Sequence, residues 1–477
     1  MNRLLLLALV LVAGCNVGPN YHRPQSALPG TFATVAGTNG IRDDSSVSLS
    51  EWWTVFNDPQ LTALIQMAAA TNLDVRLAAA RVREARAQRG ITAAGWYPQV
   101  RVNGDYSRSR SSKNSLNGEQ LSAEGRSLEN NLFDAGVDMS WELDVFGGTR
   151  RAVEASDAAL AATAESSRGV MVTVLAEVGL SYLDLRGAQK QLLVARDHLR
   201  VQEKTLGLTK DRFQAGLAGE LDVSRATSEV AVTRAQIPPL DAARQRAIYR
   251  LDVLLAKNPG ELDSRLNIDS TIPTAAPRVP LGLPADLLRQ RPDIRQAERQ
   301  LAAANAQIGV ATADLLPKFY LTGIAGLQSV EASDFFAGSS RFWSLGPSIS
   351  WPVFTAGKIR QHIRVQNARQ EQAALAYEQV VLNSLEEVQN ALVAFGQEQQ
   401  RHIAIVDSVT ARLRSCTLAQ DRYRAGLVDF AEVLEAQRLL LASQDSEVQS
   451  ERELSQNLIR VFKSLGGGWE TTQLASR

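Results

Sequence analysis

Few residues of this chain have the types and the spacing that catalysis or metal binding requires. No metal-ligand spacing and no nucleophile motif links its four histidines, which are His22, His198, His362 and His402. The pair Gly357-Lys358 matches the end of a phosphate loop, but Pro352 stands where such a loop has its first glycine. We therefore expect that the protein is not an enzyme and that it holds no metal and no cofactor other than a covalent lipid.

That lipid is predicted at Cys15, the residue with the clearest chemical assignment. Residues 1–14 form a secretory signal, with Asn2-Arg3 before an apolar run and the small pair Ala13-Gly14 directly before the cysteine. This pattern is a lipobox, and it predicts that the signal is removed and that Cys15 is lipidated. An ordinary signal peptide with an incidental cysteine is the alternative. A residue other than Asp at position 16 favours sorting to the bacterial outer membrane.

The remaining charged and thiol groups have simpler interpretations. Lysine plus arginine and aspartate plus glutamate balance at 51 each, so nothing indicates a nucleic-acid partner. The second cysteine, Cys416, falls in an apolar stripe and is predicted to be a small buried hydrophobic residue, so no disulfide framework exists. Glu432 and Glu435 are three apart and share one helix face, where a solvated surface is the simplest explanation.

The elements that position these residues are organised around two similar segments 210 positions apart, DRFQAGL at 211–217 and DRYRAGL at 421–427. Each predicts the end of a long helix, a reversal at Gly216 or Gly426, and the start of another helix, because glycine readily adopts a left-handed backbone. An apolar residue recurs at every seventh position before each glycine, as far as Phe213 and Tyr423. This period predicts helices that wind into a left-handed supercoil, each roughly 100 Å long at ~1.5 Å per residue.

Four segments alternate apolar and polar residues in the way that strands do. In the second of them, apolar residues occupy the odd positions from Ala135 to Val145, while acids, serine and glycine occupy the even ones. One face of such a strand suits lipid and the other suits a wet interior. The segments predict two β-hairpins, at about 99–146 and 318–354, and a polar surface loop over residues 107–131.

The predicted organisation is a leader followed by a tandem duplication of helix, β-hairpin and long helix pair. The boundaries are a signal peptide at 1–14, a lipidated leader at 15–58, repeat 1 at 59–257 with its turn near Gly216, a proline-rich crossover at 258–285, repeat 2 at 286–466 with its turn near Gly426, and a loose tail at 467–477. The first segment of each hairpin is offset by 219 between the repeats and the second segment by 210, so the second surface loop is nine residues shorter.

Four strands do not close a barrel, and hydrocarbon does not tolerate an open sheet edge. Other copies of the chain must therefore complete the sheet. Three copies give twelve strands, an even number within the range of outer-membrane barrels, whereas two copies give eight strands with an interior filled by side chains. A conduit favours the trimer. The predicted fold class is a mixed α and β membrane protein, a homotrimeric twelve-stranded transmembrane β-barrel continued by a long periplasmic helical barrel.

The chain resembles the outer membrane factor or TolC-type efflux channels, in particular their lipoprotein, NodT-like branch. The most specific segment is RPDIRQAE at 291–298, continued by LAAANAQIGVA at 301–311, and the two helix reversals and the GPNY that follows the lipobox add to it. The resemblance covers nearly the whole mature chain. It implies a trimer in the bacterial outer membrane, lipid-anchored and extending through the periplasm, that serves as the passive exit duct of a tripartite efflux system.

The same resemblance implies partners: a periplasmic membrane-fusion adaptor, an inner-membrane pump of the proton-driven RND type or an ABC exporter, and outer membrane lipid. Export of drugs, metals or other toxic small molecules is the first expectation, and type I protein secretion is the alternative within this class. A non-conducting coiled-coil scaffold lipoprotein is a further alternative. The amphipathic strands argue against it, because a scaffold has no need of a lipid-facing apolar row.

The resemblance also implies a periplasmic gate beside Gly426. In the family a pair of carboxylates follows this turn, and here they are Glu432 and Glu435, with Asp222 as the counterpart in the first repeat. Threefold symmetry would gather six carboxylates around one aperture and attract cations. Tyr423 matches a tyrosine that ties the inner helix pair to its neighbour, with Asp222 as its acidic partner. Alternatively, Tyr423 ends the apolar stripe, as Phe213 does. A gate arginine of the family falls on Val428.

Overall fold

The structure is a computed structural model that describes residues 16–24, 42–43, 47–268, 271–276, 278–280, 282 and 284–470. The predicted signal peptide at 1–14, the lipidation site Cys15 and the end of the predicted tail, 471–477, lie outside the described residues. The described chain is mostly helical, with a small antiparallel sheet.

Two pairs of long helices dominate the chain, each pair joined by a short turn. The helices are α1 Pro59–Thr71, α2 Leu73–Ala93, α3 Leu116–Ala123, α4 Gly148–Gln214, α5 Glu220–Leu254, α6 Asp263–Leu266, α7 Pro284–Gln290, α8 Pro292–Ala313, α9 Lys358–Arg424 and α10 Phe430–Ser464. The first member of each long pair has 67 residues and the second has 35. None of the helices in the described part of the chain combines the length and the apolar composition that crossing a membrane requires.

The strands form two sheets. They are β1 Arg42–Asp43, β2 Gln99–Arg110, β3 Glu129–Leu143, β4 Arg278–Val279, β5 Lys318–Ser329 and β6 Arg341–Ser350. β1 and β4 pair in parallel, and the other four strands form an antiparallel sheet in the order β2-β3-β5-β6. The polar loop predicted at 107–131 is shorter than expected, because β2 and β3 extend into it and it contains α3. β6 ends at Ser350, before the predicted limit of 354, because its partner β5 begins only at Lys318.

The chain folds into two compact units, and each unit contains parts of both sequence repeats. The first contains 1–24, 83–162 and 298–376, with the four-stranded sheet, and the second contains 25–82, 163–297 and 377–477. Each unit is built from both halves because the strands of one repeat pair with those of the other: β3 of repeat 1 pairs with β5 of repeat 2. The duplication therefore describes the order of the elements along the sequence, whereas the boundaries of the compact units are set by which elements pack together.

The four-stranded sheet has one apolar face. Residues directly opposite one another in an antiparallel pair share a face, and Val102, Val137, Ala325 and Trp343 form one continuous row across the four strands. In the single chain Val102 is 81% exposed and Trp343 is 78% exposed, so nothing in the described residues covers this row. An uncovered apolar sheet face of this extent is unusual in a water-soluble monomer.

The first described residues pack closely within the sheet-containing unit. Arg151 is buried, and its Nε donates to Val17 O at 3.0 Å while its Nη2 donates to Asn20 Oδ1 at 2.8 Å. Gly18 has φ +88° and lies so close to Gly309 that a Cβ would be 2.4 Å from the Gly309 Cα. Glycine is required at position 18 by both its conformation and its contact.

The second unit has the large apolar core. Trp52, Trp53 and Phe56, from a 3-10 turn near the end of the predicted leader, are all buried, and the Trp52 ring stacks on Phe462 with centroids 6.0 Å apart. Most of the apolar residues predicted at every seventh position are buried as well, including Cys416 near the end of the second helix stripe. Burial raises the pKa of the Cys416 thiol, as expected for a small hydrophobic residue in a helix interface.

A buried polar network joins the start of α1 to the middle of α4. The Arg186 side chain is 1% exposed; its Nη1 donates to Ile268 O at 2.8 Å and its Nη2 to Tyr182 Oη at 2.9 Å. Tyr182 in turn donates to Asp58 Oδ2 at 2.7 Å, and Asp58 caps α1. Burial, followed by the bond to Asp58, raises the Tyr182 pKa above its ordinary value.

Arg186→Met is expected to lower the thermal unfolding midpoint markedly, because it leaves several buried acceptors unpaired at ~1–3 kcal/mol each. Circular dichroism of the purified protein measures this midpoint. Arg196→Met is the matched control, since Arg196 is exposed on the same helix, and its effect should stay within about 0.5 kcal/mol. Equal midpoints for the two variants would contradict a structural role for the network.

The tail after Gly466 is not loose where the structure describes it. Gly467 and Gly468 are buried, and Trp469 Nε1 donates to Gln290 O at 3.0 Å. The guanidinium groups of Arg168 and Arg295 lie over the Trp469 ring at 4.8 and 5.3 Å from its centroid. The expected loose tail of 467–477 is therefore wrong for its first three residues, because two cation–π contacts and a hydrogen bond hold the tryptophan.

Candidate functional site

The two helix reversals have the same hydrogen-bonded geometry. In the first, Gly216 N donates to Phe213 O at 3.0 Å and Leu217 N donates to Arg212 O at 2.8 Å. The second repeats both bonds 210 residues later, ending at Gly426, and the two glycines have φ values of +71° and +74°. This is the Schellman arrangement, in which a left-handed glycine satisfies the last carbonyls of a helix. The sequence prediction of a reversal at each glycine is confirmed.

Gly426→Ala is expected to destabilise the second turn locally by about 1–2 kcal/mol, because an L residue pays that strain in the left-handed region. Hydrogen exchange of peptides around the turn, followed by mass spectrometry, should show faster exchange. Gly219→Ala is the control, because Gly219 has φ −90° and no atom lies within 4 Å of a Cβ built there. Equal exchange in both variants would contradict the requirement for glycine at 426.

The helices that follow the turns begin differently in the two repeats. In the first, the Asp222 carboxylate accepts from Gly219 N at 3.4 Å, so it caps the start of α5. Glu432, its counterpart, makes no side-chain cap bond at the start of α10 and is exposed. Glu435 is exposed too, with one oxygen 3.8 Å from Arg438. The second turn therefore has two exposed acidic side chains in the single chain.

Tyr423 is held by an arginine that sequence reasoning missed. The Arg212 guanidinium lies over the Tyr423 ring, 4.7 Å from its centroid, and its Nη1 donates to Tyr423 O at 3.0 Å and to Arg424 O at 3.4 Å. The Phe430 ring packs against the same Tyr423 ring, with centroids 5.4 Å apart. Ala226 and Val433 complete this small buried cluster, so a residue of repeat 1 binds the end of the long helix of repeat 2.

The structure bears on both interpretations of Tyr423. Within the single chain it makes no bond to Asp222, since the Tyr423 hydroxyl has no hydrogen-bond partner among the described residues and Asp222 bonds to Gly219. Tyr423 ends the apolar stripe as a buried residue, 5% exposed, whereas Phe213 at the same place in repeat 1 is 44% exposed. The difference arises because Arg212 and Phe430 cover the tyrosine. Val428, where the family has a gate arginine, packs against the same cluster.

A signal for Arg212 was present in the sequence. The arginine precedes the aromatic residue in both repeats, in the last turn of a long helix. Basic side chains at that position bind the free carbonyls and favour the negative end of the helix dipole. The pattern identifies a capping arginine, but which carbonyls it binds depends on the packing of one repeat against the other.

An amphipathic open sheet, duplicated long helix pairs and an acidic turn together define the class of protein. The family model for outer membrane efflux proteins matches residues 64–257 and 283–467, so the chain belongs to the outer membrane efflux protein family.

Curated relatives match over nearly the full length. The chain is 32% identical to nodulation protein T of Rhizobium leguminosarum bv. trifolii over 460 residues, which is 96% of each protein. It is 33% identical to the toluene efflux pump outer membrane protein TtgF of Pseudomonas putida, covering 97% of this chain and 95% of the relative. It is 32% identical to the cation efflux system protein CusC of Escherichia coli, covering 97% and 98%.

Solved structures match as well. The outer-membrane channel OprN superposes with a TM-score of 0.87 at 37% identity, covering 96% of this chain and all of that one. The open state of the MtrE outer membrane channel of Neisseria gonorrhoeae superposes with a TM-score of 0.80 at 27% identity, covering 95% and 99%. These similarities confirm the resemblance found in the sequence.

Proposed function

We propose that three copies of this chain form the passive outer membrane exit duct of a tripartite efflux system. The observation that carries this proposal is the open four-stranded sheet with one uncovered apolar face. Such a face suits lipid, and its two edge strands, β2 and β6, have no further strand paired to them among the described residues.

Assembly into a closed barrel resolves both features. An edge in hydrocarbon leaves its N–H and C=O groups unpaired at a cost of several kcal/mol each, so copies must join edge to edge. Three copies give twelve strands around an open lumen, and the opposite, polar face of the sheet then lines the water. The long helix pairs of repeats 59–257 and 286–466 continue the duct as a helical barrel through the periplasm, and a lipid on Cys15 anchors the leader.

The duct works with partners that supply energy and selection. A periplasmic membrane-fusion adaptor joins it to an inner-membrane pump, of the proton-driven RND type for small molecules. The relatives named above include a toluene pump protein and a cation system protein, so organic compounds and metal cations are the cargo classes to examine first. An ABC exporter of proteins would serve the same kind of duct, and the neighbouring genes distinguish the two pumps.

The second turn forms the periplasmic gate. Glu432 and Glu435 from three chains place six carboxylates around the aperture, and Tyr423 with Gly426 shapes the turn that presents them. Asp222 holds the corresponding turn of the first repeat, at Gly216, in a capped and fixed form. The acidic mouth attracts cations, while the apolar cluster behind it sets the position of the helix ends.

Replacing both Glu432 and Glu435 by Gln is expected to lower the cation-to-anion permeability ratio about threefold or more in planar bilayers. A fixed charge in a narrow mouth raises the local counter-ion concentration by ~10-fold or more, and the variant removes it. The double variant Glu371→Gln with Glu378→Gln is the control, since both side chains are exposed on α9 far from the turn. An unchanged ratio in the gate variant would remove these residues from the gate.

The function itself is tested by deletion and by reconstitution. Deleting the gene is expected to raise the accumulation of a fluorescent efflux substrate in whole cells, and the wild-type copy should restore efflux. Purified protein in lipid should be trimeric by light scattering and should conduct ions. A monomer in lipid, or unchanged accumulation together with a trimer that conducts no ions, would contradict the proposal.

A further inference from the structure

We infer that β6 of one subunit pairs with β2 of the next subunit in one defined register, in which Ser348 lies opposite the partner copy's Asp105. This inference rests on the proposed trimeric duct and goes beyond it, because it assigns the residue pairs of the subunit interface. The internal duplication defines this register, because the strands of the two repeats correspond position by position.

The two hairpins match, because they have identical registers once offsets of 219 for the first strand and 210 for the second are applied. In the first hairpin Val100 pairs with Met139. Adding 219 to the first residue and 210 to the second gives Phe319 and Ile349, which do pair in the second hairpin. The offsets found in the sequence therefore hold for the backbone of both hairpins.

A side-chain bond repeats with the same offsets. Trp141 Nε1 donates to Trp96 O at 3.0 Å in the first repeat, and Trp351 Nε1 donates to Leu315 O at 3.1 Å in the second. The donors differ by 210 and the acceptors by 219. Hydrogen bonds of this kind are not produced by strand pairing, so they confirm the correspondence independently of the ladder.

The pairing between the repeats within one chain can therefore be transferred to the pairing between chains. Inside the chain β3 of repeat 1 pairs with β5 of repeat 2, and Asp138 lies opposite Ile324. Around a ring, the next junction joins β6 of repeat 2 to β2 of repeat 1 in another copy. The counterpart of Asp138 is Ser348, and the counterpart of Ile324 is Asp105, so these two residues become opposed.

The transferred register matches the chemistry of the two strands. It sets Trp351 opposite Val102 and Ile349 opposite Gly104, and the polar residues Ser348 and Asp105 meet on the other face, whereas Leu345 and Trp343 come opposite Arg108 and Arg110. A shift by one residue would turn the apolar face of one strand toward water. The amphipathic pattern was not used to derive the register, and its agreement supports the result.

One residue beyond β6 also fits the register. Within one chain β6 stops at Ser350, and Trp351, the next residue, is 58% exposed. Val353 N donates to Trp351 O at 2.9 Å, so the chain turns directly after Trp351. In the transferred register Trp351 lies opposite Val102 of the next copy, and Val353 is not part of the ladder.

Disulfide crosslinking tests the register in the full-length protein, in a Cys416→Ser background. Directly opposed residues of an antiparallel pair have Cβ atoms ~4.5–5.5 Å apart, close to the separation that a disulfide needs. The variant S348C/D105C, oxidised in membranes, is expected to migrate as a covalent trimer without reductant. A second pair in the same register, G346C/S107C, guards against poor geometry at one site, and no atom lies within 4 Å of a Cβ built at Gly346.

Matched controls move one cysteine by two residues on the same face, as in S348C/N103C and S348C/S107C. Both should crosslink at least about tenfold less than S348C/D105C, since diagonal neighbours are ~7–8 Å apart. A covalent trimer from a shifted pair, or none from either predicted pair while light scattering shows a native trimer, would overturn the register and leave the duct intact. A protein that is monomeric in lipid would overturn the proposed assembly itself.

Discussion

Leu345→Arg is expected to prevent the protein from assembling in the outer membrane. Leu345 lies on the apolar face of β6, opposite Gly323, and is 62% exposed in the single chain. An arginine on the lipid face of a barrel costs about 2–4 kcal/mol at the bilayer centre, and a trimer carries three of them. Trimer recovered from outer membranes, measured on unheated gels, should fall at least about tenfold, since 1.4 kcal/mol corresponds to tenfold.

The neighbouring residue provides the control. Ser344 lies on the opposite face of the same strand, opposite Ile324, so Ser344→Arg directs its charge toward the proposed lumen. This variant should assemble normally and should change only the conductance. Equal loss of trimer in both variants would show that the strand tolerates no arginine at all, and normal assembly of Leu345→Arg would argue against a lipid-facing apolar row.

Arg212→Met is expected to loosen the second turn and to raise the conductance of the channel. The substitution removes a charge-assisted bond to Tyr423 O, worth about 1.5–3 kcal/mol, together with the cation–π contact on the Tyr423 ring. Loss of that stabilisation shifts an equilibrium between held and released turns by about 10- to 100-fold. Single-channel recordings in planar bilayers should show long open periods, and cells should become sensitive to a large antibiotic.

Arg424→Met is the matched control for charge. Arg424 is exposed on the same turn and its contact is an ion pair with Asp421 at 3.2 Å, which contributes little to stability. The control should conduct as the wild type does. Wild-type conductance in Arg212→Met, or a decrease, would contradict a holding role for this arginine in the closed gate.

The parts of the fold that depend on periodicity could be predicted from the sequence. Alternation over residues 135–143 determines which face of the strand is apolar, and the apolar stripe of period seven that ends at Tyr423 determines which face of the helix packs; both patterns extend over many residues. The turns at Gly216 and Gly426 were predictable for a related reason, because a left-handed residue at a helix end has few alternatives to glycine.

The details that depend on packing between distant segments could not be predicted. Arg212 binds carbonyls 211 and 212 residues away, and Trp469 is held by Arg168 and Arg295. No local pattern specifies such pairs, since the same arginine next to an aromatic residue has no fixed partner until the repeats pack. The single chain shows no bond between Tyr423 and Asp222, and the Asp222 carboxylate accepts from Gly219 N.

The packing of the leader has a consequence for how the protein enters the bilayer. Val17 N donates to Phe146 O at 3.2 Å, just after the end of β3, and Gly18 is wedged against Gly309. Cys15 is two residues earlier, a reach of about 7 Å. We propose that a lipid on that cysteine would act as a depth stop, because it would be attached two residues before a segment that is fixed at the end of β3 and would limit how far each subunit sinks into the bilayer.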